Sequence, residues 1–259
     1  MIVIADNLNT RNRAFMSALK ARNENAISEL VKRLSHADMI NLQCSLDGSE
    51  DEETLPWLVE VTLKTVSSLI SLDSRNVHAL RRVVPLCPQP PLINFISYTE
   101  PEDPEELLAL VASSGASLVL RASRSTPPTS LEGKLQIIEE LLEMANAHDI
   151  PNERLFGDPS LIHIGGGEGQ KHLANSTECI KLLKELIEPP IKTIAWVSNV
   201  SSGMPFALRK SIEASFFLYA GGAGLDAGML DVLDPSIKKA IYFVKSFRDE
   251  IVFSPADIT

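Results

Sequence analysis

The residues of this chain that could do chemistry are carboxylates and amides near the ends of short apolar runs. Asp73 ends the run 68–73, Asn94 lies in the run 91–97, and Asp158 lies in the run 154–164. A carboxylate accepts hydrogen bonds from paired N–H groups, and an amide supplies one acceptor and two donors. Such a set suits a neutral nitrogen heterocycle, of which a guanine-like pterin ring is one example. The alternative is that each residue caps the helix that follows it.

Other polar residues stand at comparable positions, and almost none is a histidine, a cysteine or a lysine. They are Asp6, Asn7, Asn9, Asn41, Gln43, Arg121, Arg124, Ser198, Asn199 and Asp226. No nucleophile lies beside a base, and no cluster has the spacing of metal ligands. His163 stands alone and is expected to have a structural or loop role. The glycine-rich stretch 163–171 does not match a phosphate-binding loop and is expected to be a flexible loop at the mouth of the site.

Short apolar runs alternate with segments of helical periodicity, which is typical of βα units and a parallel sheet. The runs are 2–5, 38–45, 68–73, 91–97, 117–123, 154–164, 193–199 and 224–231. The helical segments include 13–34, 55–67, 104–113, 131–148, 177–186 and 207–220. The pattern predicts an α/β fold, a (β/α)₈ TIM barrel, whose active site lies at the carboxyl ends of the strands. A doubly wound open sheet is the alternative.

Composition limits the class of protein further. The 259 residues are 44% hydrophobic with a net charge of −10, which argues against nucleic acid or an anionic membrane as a partner. No apolar run reaches the length of about 18 residues that a membrane span needs, and no signal peptide is expected. The separated cysteines Cys44, Cys87 and Cys179 indicate reduced thiols and a cytoplasmic protein. No linker divides the chain, so residues 1–259 are expected to form one domain, with the acidic stretch 45–54 as a solvated loop.

Five short motifs give the chain a resemblance to a known family. They are LDS at 72–74, LIN at 92–94, GDP at 157–159, SNVS at 198–201 and GLDA at 224–227. In this order they resemble the methyltetrahydrofolate–corrinoid protein methyltransferases. That family belongs to the pterin-binding TIM-barrel superfamily, with dihydropteroate synthase and the folate domain of cobalamin-dependent methionine synthase.

The resemblance implies a role for each matching residue. Asp73 and Asn94 would hydrogen-bond the pterin ring, and Asp158 would hold the N–H groups of its pyrimidine. Asn199 would be catalytic, assisting at N5 as the bond to the methyl group breaks, and Ser198 would lie beside it at the pocket wall. The alternative for Asn199 is that it only starts the next helix.

The resemblance also implies the reaction and the partners. A methyl group would move between N5 of (methyl)tetrahydrofolate and the cobalt of a corrinoid protein. The cobalamin would be carried by that partner, and this chain would supply orientation and electrostatics. A homodimer and a role in one-carbon metabolism follow from the same resemblance.

Two strand ends depart from the pattern of the family. The family usually opens G-E-R-x-N, whereas this chain has ADNLN, which keeps Asn9 but has Asp6 for the glutamate. The second strand usually ends D-x-N, whereas this chain has NLQ, with Asn41 and Gln43. Asn9 and Gln43 are still expected to contact the substrate.

Two aromatic residues are further departures. Phe95 stands where the family has the serine of I-N-S, and Trp196 stands where it usually has glycine. Because side chains alternate along a strand, Trp196 is expected to share a face with Ser198 and to narrow the slot, stack on a ligand or fill a barrel layer. The departures at Asp6, Asn41, Gln43 and Trp196 keep open a divergent, non-catalytic subunit that binds a protein or another ligand. Dihydropteroate synthase is disfavoured, because its glycine-rich loop after strand two and its basic strand-eight motif are absent.

Overall fold

The computed structural model describes residues 1–258, in which eight parallel strands close into a barrel. Each strand pairs with the next along the chain, and the last pairs with the first. The (β/α)₈ prediction is therefore confirmed, and the open sheet is wrong. The strands are β1 (Ile2–Leu8), β2 (Met39–Leu42), β3 (Leu69–Asp73), β4 (Leu92–Ile96), β5 (Ser117–Arg121), β6 (Leu155–Asp158), β7 (Lys192–Trp196) and β8 (Ala227–Leu230).

Helices connect the strands around the outside of the barrel. They are α1 (Arg13–Lys20), α2 (Glu24–Lys32), α3 (Asp51–Thr65), α4 (Val77–Val83), α5 (Pro104–Ser114), α6 (Leu131–Ala147), α7 (Gly169–Leu186), α8 (Phe206–Gly222) and α9 (Pro235–Phe247). Short 3-10 turns lie at Val84–Leu86, Asn152–Arg154, Val197–Ser201 and Pro255–Ile258.

Three of the predicted boundaries differ from the structure. The segment 13–34 forms two helices, because Arg22 takes a left-handed backbone conformation (φ 50°) and the Asn23 side chain caps α2. The acidic stretch 45–54 is a loop only as far as α3, whose first residue, Asp51, is buried and accepts hydrogen bonds from the hydroxyls of Ser45 and Ser74. Helix α7 starts at Gly169, so the end of the glycine-rich stretch is helical.

Two apolar layers hold the barrel together. The larger lies between the strands and the helices, and the smaller fills the barrel interior. The interior layer consists of Ile4, Leu92, Val119, Phe156, Ile194, Trp196, Ala227 and Met229. This layer closes the barrel beneath the strand ends, so a ligand at the carboxyl ends would rest on an apolar floor.

No helix within residues 1–258 is long and apolar enough to cross a membrane.

Candidate functional site

Strand register brings the principal polar residues to one level at the carboxyl end of the barrel. Asp73 of β3 is the register partner of Asn94 of β4, and Arg121 of β5 is the register partner of Asp158 of β6. Side chains at these positions come from neighbouring strands of a closed ring. The predicted carboxylate and amide groups are therefore gathered at one mouth of the barrel, where TIM-barrel active sites lie.

One buried hydrogen-bond network links the first four strands. Asn41 donates to Asp6 (Nδ2 to Oδ1, 3.1 Å), and its own Oδ1 accepts from Ser71 Oγ and Asn94 Nδ2, each at 3.0 Å. Asn94 Nδ2 also lies 2.6 Å from Ser71 Oγ, whereas its buried Oδ1 has no partner within residues 1–258. An unpaired buried acceptor is unfavourable unless a ligand satisfies it. A ligand N–H that reached the Asn94 oxygen would therefore complete the network.

Ser71 is a member of this network that the sequence reasoning missed. It lies two residues before Asp73 on β3, and side chains two apart on a strand share a face. This spacing from Asp73 could have identified Ser71 as a residue of the same face from the sequence.

Gln43 and Asp73 form a second pair at the same level. Gln43 Nε2 donates to Asp73 Oδ2 at 2.9 Å, and Gln43 Oε1 accepts from the Thr10 hydroxyl at 3.0 Å. Removal of the Asp73 carboxyl from water raises its pKa to about 6, although the positive charge of Arg121 acts in the opposite direction. The pair thus holds a carboxyl that can change its protonation state near neutral pH.

The raised pKa of Asp73 predicts how stability changes with pH. Its folded-state pKa, about 6, lies above the ordinary 3.8, so the folded state binds more protons between these values. The contribution of Asp73 to the stability of the folded state is therefore fully present below about pH 4, and it is lost as the pH rises through about 6. Replacing Asp73 with asparagine should flatten the dependence of the free energy of unfolding on pH, by on the order of 2 kcal/mol between pH 4 and 7.

Urea unfolding of both proteins across this range measures the effect. Burial also raises the pKa of Asp6 and of Asp158, so part of the pH dependence is expected to remain in the variant. Identical pH profiles for the two proteins would show that Asp73 has an ordinary pKa.

Arg121 occupies the other half of the mouth. Its Nε donates to Asp158 Oδ2 at 2.9 Å, and its guanidinium carbon lies 3.4 Å from the ring centroid of Phe95 and 4.3 Å from that of Trp196. The two rings stand edge to face, with centroids 6.4 Å apart. The side chains of Phe95 and Trp196, both of which differ from the family pattern, thus contact the same guanidinium. The sequence predicted Arg121 at the rim but gave it no role. Trp196 also belongs to the apolar layer inside the barrel, which was one of the three expectations for this residue.

Two buried residues, Lys134 and His172, hold the loop after β6 through contacts with its backbone. Lys134 Nζ donates to the carbonyl of Pro159 at 2.6 Å and lies 3.4 Å from Nε2 of His172. The same Nε2 accepts the N–H of Ile162 at 3.1 Å. Burial lowers the pKa of Lys134 to about 8 and that of His172 to about 4, so the histidine is neutral, and its Nε2 also lies 3.0 Å from the carbonyl oxygen of Ser160. The pair positions the loop that begins at Asp158.

The predicted strand through Asn199 ends earlier than expected. β7 stops at Trp196, and Ser198 and Asn199 lie in the 3-10 turn Val197–Ser201, so strand alternation does not relate Trp196 to Ser198. Ser198 Oγ is buried without a partner within the described residues. The half-buried Asn199 side chain makes no hydrogen bond within residues 1–258, so its amide is free for a ligand.

A cavity of about 420 Å³ lies at the mouth, beside this turn. Its lining includes Ser198, Asp6, Asn9, Lys210 and Asp231. Asn9 is committed to its own turn, since its Nδ2 donates to the Asp6 carbonyl at 2.6 Å and its Oδ1 accepts the N–H of Arg11 at 2.9 Å. The remaining surface of Asn9 faces the cavity.

Asp226 was predicted at the mouth, and the structure shows that this is wrong. It precedes β8, at the amino end of the barrel, where its carboxylate accepts the N–H of Thr193 at 2.9 Å and lies 2.7 Å from Lys184 Nζ. An aspartate stands on each side of β8: Asp226 precedes the strand, and Asp231 follows it and lies at the mouth.

The remaining rim residues lie outside the network. Asn7 donates to Asp231 at 2.6 Å and accepts the N–H of Val232, so it supports the loop after β8. Arg124 pairs with Glu140 at 3.3 Å. His163 lies in a loop, as expected, and its Nδ1 is buried without a partner within the described residues. No group of three or more potential metal ligands occurs within residues 1–258.

The closed barrel of eight parallel strands, with its polar mouth, is a TIM barrel. Solved structures show the same fold: a dihydropteroate synthase from Xanthomonas albilineans has a TM-score of 0.71 at 15% identity, covering 98% of this chain and 94% of that one. A dihydropteroate synthase from Coxiella burnetii, in complex with pteroic acid, has a TM-score of 0.68 at 13% identity, covering 96% and 94%.

Sequence relatives narrow the resemblance within this class. The chain is 25% identical over 247 residues to a methylcorrinoid:tetrahydrofolate methyltransferase of Eubacterium limosum, covering 93% of this chain and 89% of the relative. It is 25% identical over 177 residues to a methionine synthase of Mycobacterium leprae, covering 65% of this chain but only 15% of that longer protein. No protein-family model matches the chain. The relatives confirm the resemblance to the methyltetrahydrofolate–corrinoid methyltransferases.

Proposed function

We propose that this chain is a methyltransferase that moves a methyl group between N5 of methyltetrahydrofolate and the cobalt of a corrinoid protein. The observation that carries the proposal is the gathering of Asp73, Asn94 and Asp158 at the carboxyl ends of β3, β4 and β6. The similarity to a methylcorrinoid:tetrahydrofolate methyltransferase along most of the chain supports it.

These side chains suit the hydrogen-bonding pattern of a pterin. The Asp158 carboxylate would accept the paired N–H groups of the pyrimidine. Asn94 Oδ1, which lacks an internal partner, would accept a further N–H. Asp73, with its pKa near 6, can accept as a carboxylate or donate when protonated. Gln43 orients Asp73 by a direct hydrogen bond.

Asn199 would act on the reacting nitrogen. When the bond between the methyl carbon and N5 breaks, its electron pair stays on N5, which must then be protonated or accept a donated hydrogen bond. The uncommitted Asn199 amide can donate to N5 while remaining neutral. Ser198, with an unpaired Oγ, would form the adjacent wall, and Asn9 would line the mouth beside it.

The corrinoid of the partner protein supplies the acceptor or donor of the methyl group, and it must approach the carboxyl end of the barrel. The homodimer and the cytoplasmic location predicted from the sequence remain part of this proposal. Sedimentation of the purified chain would measure its oligomeric state.

Methyl transfer to free cobalamin tests the function. The chain is mixed with methyl-labelled methyltetrahydrofolate and reduced cobalamin, which stands in for the corrinoid protein. We expect tetrahydrofolate and methylated cobalamin to form in equal amounts, and not with heat-unfolded chain. A folded chain that neither binds methyltetrahydrofolate in calorimetry nor transfers the methyl group would contradict the proposal.

A non-catalytic subunit is the second candidate, and the position of Arg121 favours it. The Asp158 carboxylate is already paired with Arg121 within the protein, and the aromatic rings of Phe95 and Trp196 pack against that guanidinium. Such a subunit would not transfer methyl groups even when saturated with methyltetrahydrofolate. The likeness to dihydropteroate synthases is a likeness of fold, and no feature of the mouth favours that activity.

A further inference from the structure

We propose that Arg121 is a built-in competitor of the pterin: its guanidinium occupies Asp158 between the rings of Phe95 and Trp196 and must leave before a pterin can bind there. The inference rests on the proposed function, because it assumes that Asp158 is the carboxylate that holds the pyrimidine. It adds a residue that sets the affinity and specificity of that site.

Both oxygens of Asp158 are already used within the chain. Oδ2 accepts Arg121 Nε at 2.9 Å, and Oδ1 accepts the backbone N–H of Ser160 at 2.9 Å. Ser160 belongs to the loop fixed by Lys134, so its N–H stays in place. The Asp158 side chain is only 2% exposed. A ligand with two neighbouring N–H groups can therefore reach this carboxylate only where the guanidinium now lies.

The chemistry of the guanidinium explains why it can stand in for the ligand. A guanidinium is a flat group whose neighbouring N–H donors match the two oxygens of a carboxylate. The pyrimidine of a pterin presents a similar flat N–C–N edge with an amino group beside a ring N–H. Guanidinium groups stack on aromatic faces, as here on Phe95 and Trp196. The aromatic rings flank the position of the partner of the carboxylate, and that position thus accommodates either flat group.

The position of Arg121 allows it to leave. It is the last residue of β5, and its side chain is 19% exposed, whereas its partner carboxylate is buried. Its bond to Asp158 is its only side-chain hydrogen bond within residues 1–258. The carboxyl of Asp73 is close enough to be affected by its charge and offers another partner at the mouth. Departure of the side chain breaks one ion pair and two contacts with aromatic rings, but no strand pairing.

In competition of this kind, the apparent affinity for the pterin is the affinity of the open site multiplied by the fraction of molecules whose site is open. Calorimetric titration with methyltetrahydrofolate should therefore show binding about 10-fold to 100-fold tighter for Arg121→Ala than for wild type. Arg121→Lys is the matched control, because it keeps the positive charge without the flat group and should fall between the two. Circular dichroism and thermal unfolding establish that each variant is folded.

A second measurement keeps the inference testable if the alanine variant is poorly folded. Arg121→Gln keeps a polar side chain of moderate length and should also bind more tightly than wild type. Methylguanidinium, added at millimolar concentration, should compete with methyltetrahydrofolate in whichever of the two variants is folded, and it should leave the affinity of wild type unchanged.

Tighter binding by the alanine and glutamine variants, with competition by methylguanidinium, would support the inference. Equal or weaker binding by folded variants, when wild type binds, would overturn it and leave the proposed function standing. If neither wild type nor any folded variant binds methyltetrahydrofolate, the proposed function fails, and the inference fails with it.

Discussion

Replacing Asn199 with alanine is expected to slow methyl transfer about 10²-fold to 10³-fold, because a hydrogen-bond donor aimed at a developing electron pair contributes that much. The fold should be unaffected. The turn that carries Asn199 is anchored independently, by the 2.6 Å hydrogen bond from Ser201 Oγ to Glu213. Binding of methyltetrahydrofolate should change little, because the donor acts mainly when the bond to N5 breaks.

Single-turnover transfer to reduced cobalamin, with saturating methyltetrahydrofolate, measures this effect without the binding step. Ser202→Ala is the matched control, since Ser202 follows the same turn, is exposed and makes no side-chain hydrogen bond within the described residues. It should transfer at the wild-type rate. If Asn199→Ala also transferred at that rate, Asn199 would have no catalytic role.

Replacing Asp158 with asparagine is expected to weaken methyltetrahydrofolate binding about 5-fold to 150-fold. Loss of a hydrogen bond to a buried charged group costs about 1–3 kcal/mol, which corresponds to this range. The asparagine is close in size, so the loop after β6 should keep its shape. The pterin N–H groups would then meet one neutral oxygen and an amide N–H instead of a carboxylate.

Loss of the Asp158 charge also frees Arg121, so the substitution is best compared in two backgrounds. In Arg121→Ala, calorimetry measures the contribution of the carboxylate alone, whereas in wild type it measures carboxylate and competitor together. Asp226→Asn is the matched control at the opposite end of the barrel, where the Thr193 N–H can still be accepted. An unchanged affinity for Asp158→Asn in both backgrounds would remove Asp158 from the site.

The fold was predictable because the eight apolar runs and the intervening helical segments each have the expected periodicity. Each of the eight runs overlaps one strand, although β1 extends past its run to Leu8 and β7 begins one residue before its run, at Lys192. The ends were harder to place, because the sequence continues in an apolar pattern after the strand stops. Val197 and Val200 extend β7 in sequence but belong to a 3-10 turn, so Asn199 is not on a strand. Asp226 was misplaced because β8 is short and an aspartate stands at each side of it.

Contacts across the mouth could not be predicted, because they depend on register between strands that are far apart in sequence. Arg121 and Asp158 are 37 residues apart, and only the β5–β6 register brings them level. The sequence showed that Phe95 and Trp196 were unusual, but not that both face one guanidinium. The network of Asn41, Ser71 and Asn94 depends on β2–β4 register in the same way.

The contacts among three side chains at the mouth also determine how this site can change by mutation. Phe95, Arg121 and Trp196 come from three different strands, and each contacts at least one of the others directly. Effects of substitutions at contacting residues do not add. A small residue at Phe95 or Trp196 alone would leave the Arg121 guanidinium partly unstacked beside a void, and removal of Arg121 alone would leave Asp158 with only the N–H of Ser160 as a partner. The effect of a substitution at any one of the three positions is therefore expected to depend on the residues present at the other two.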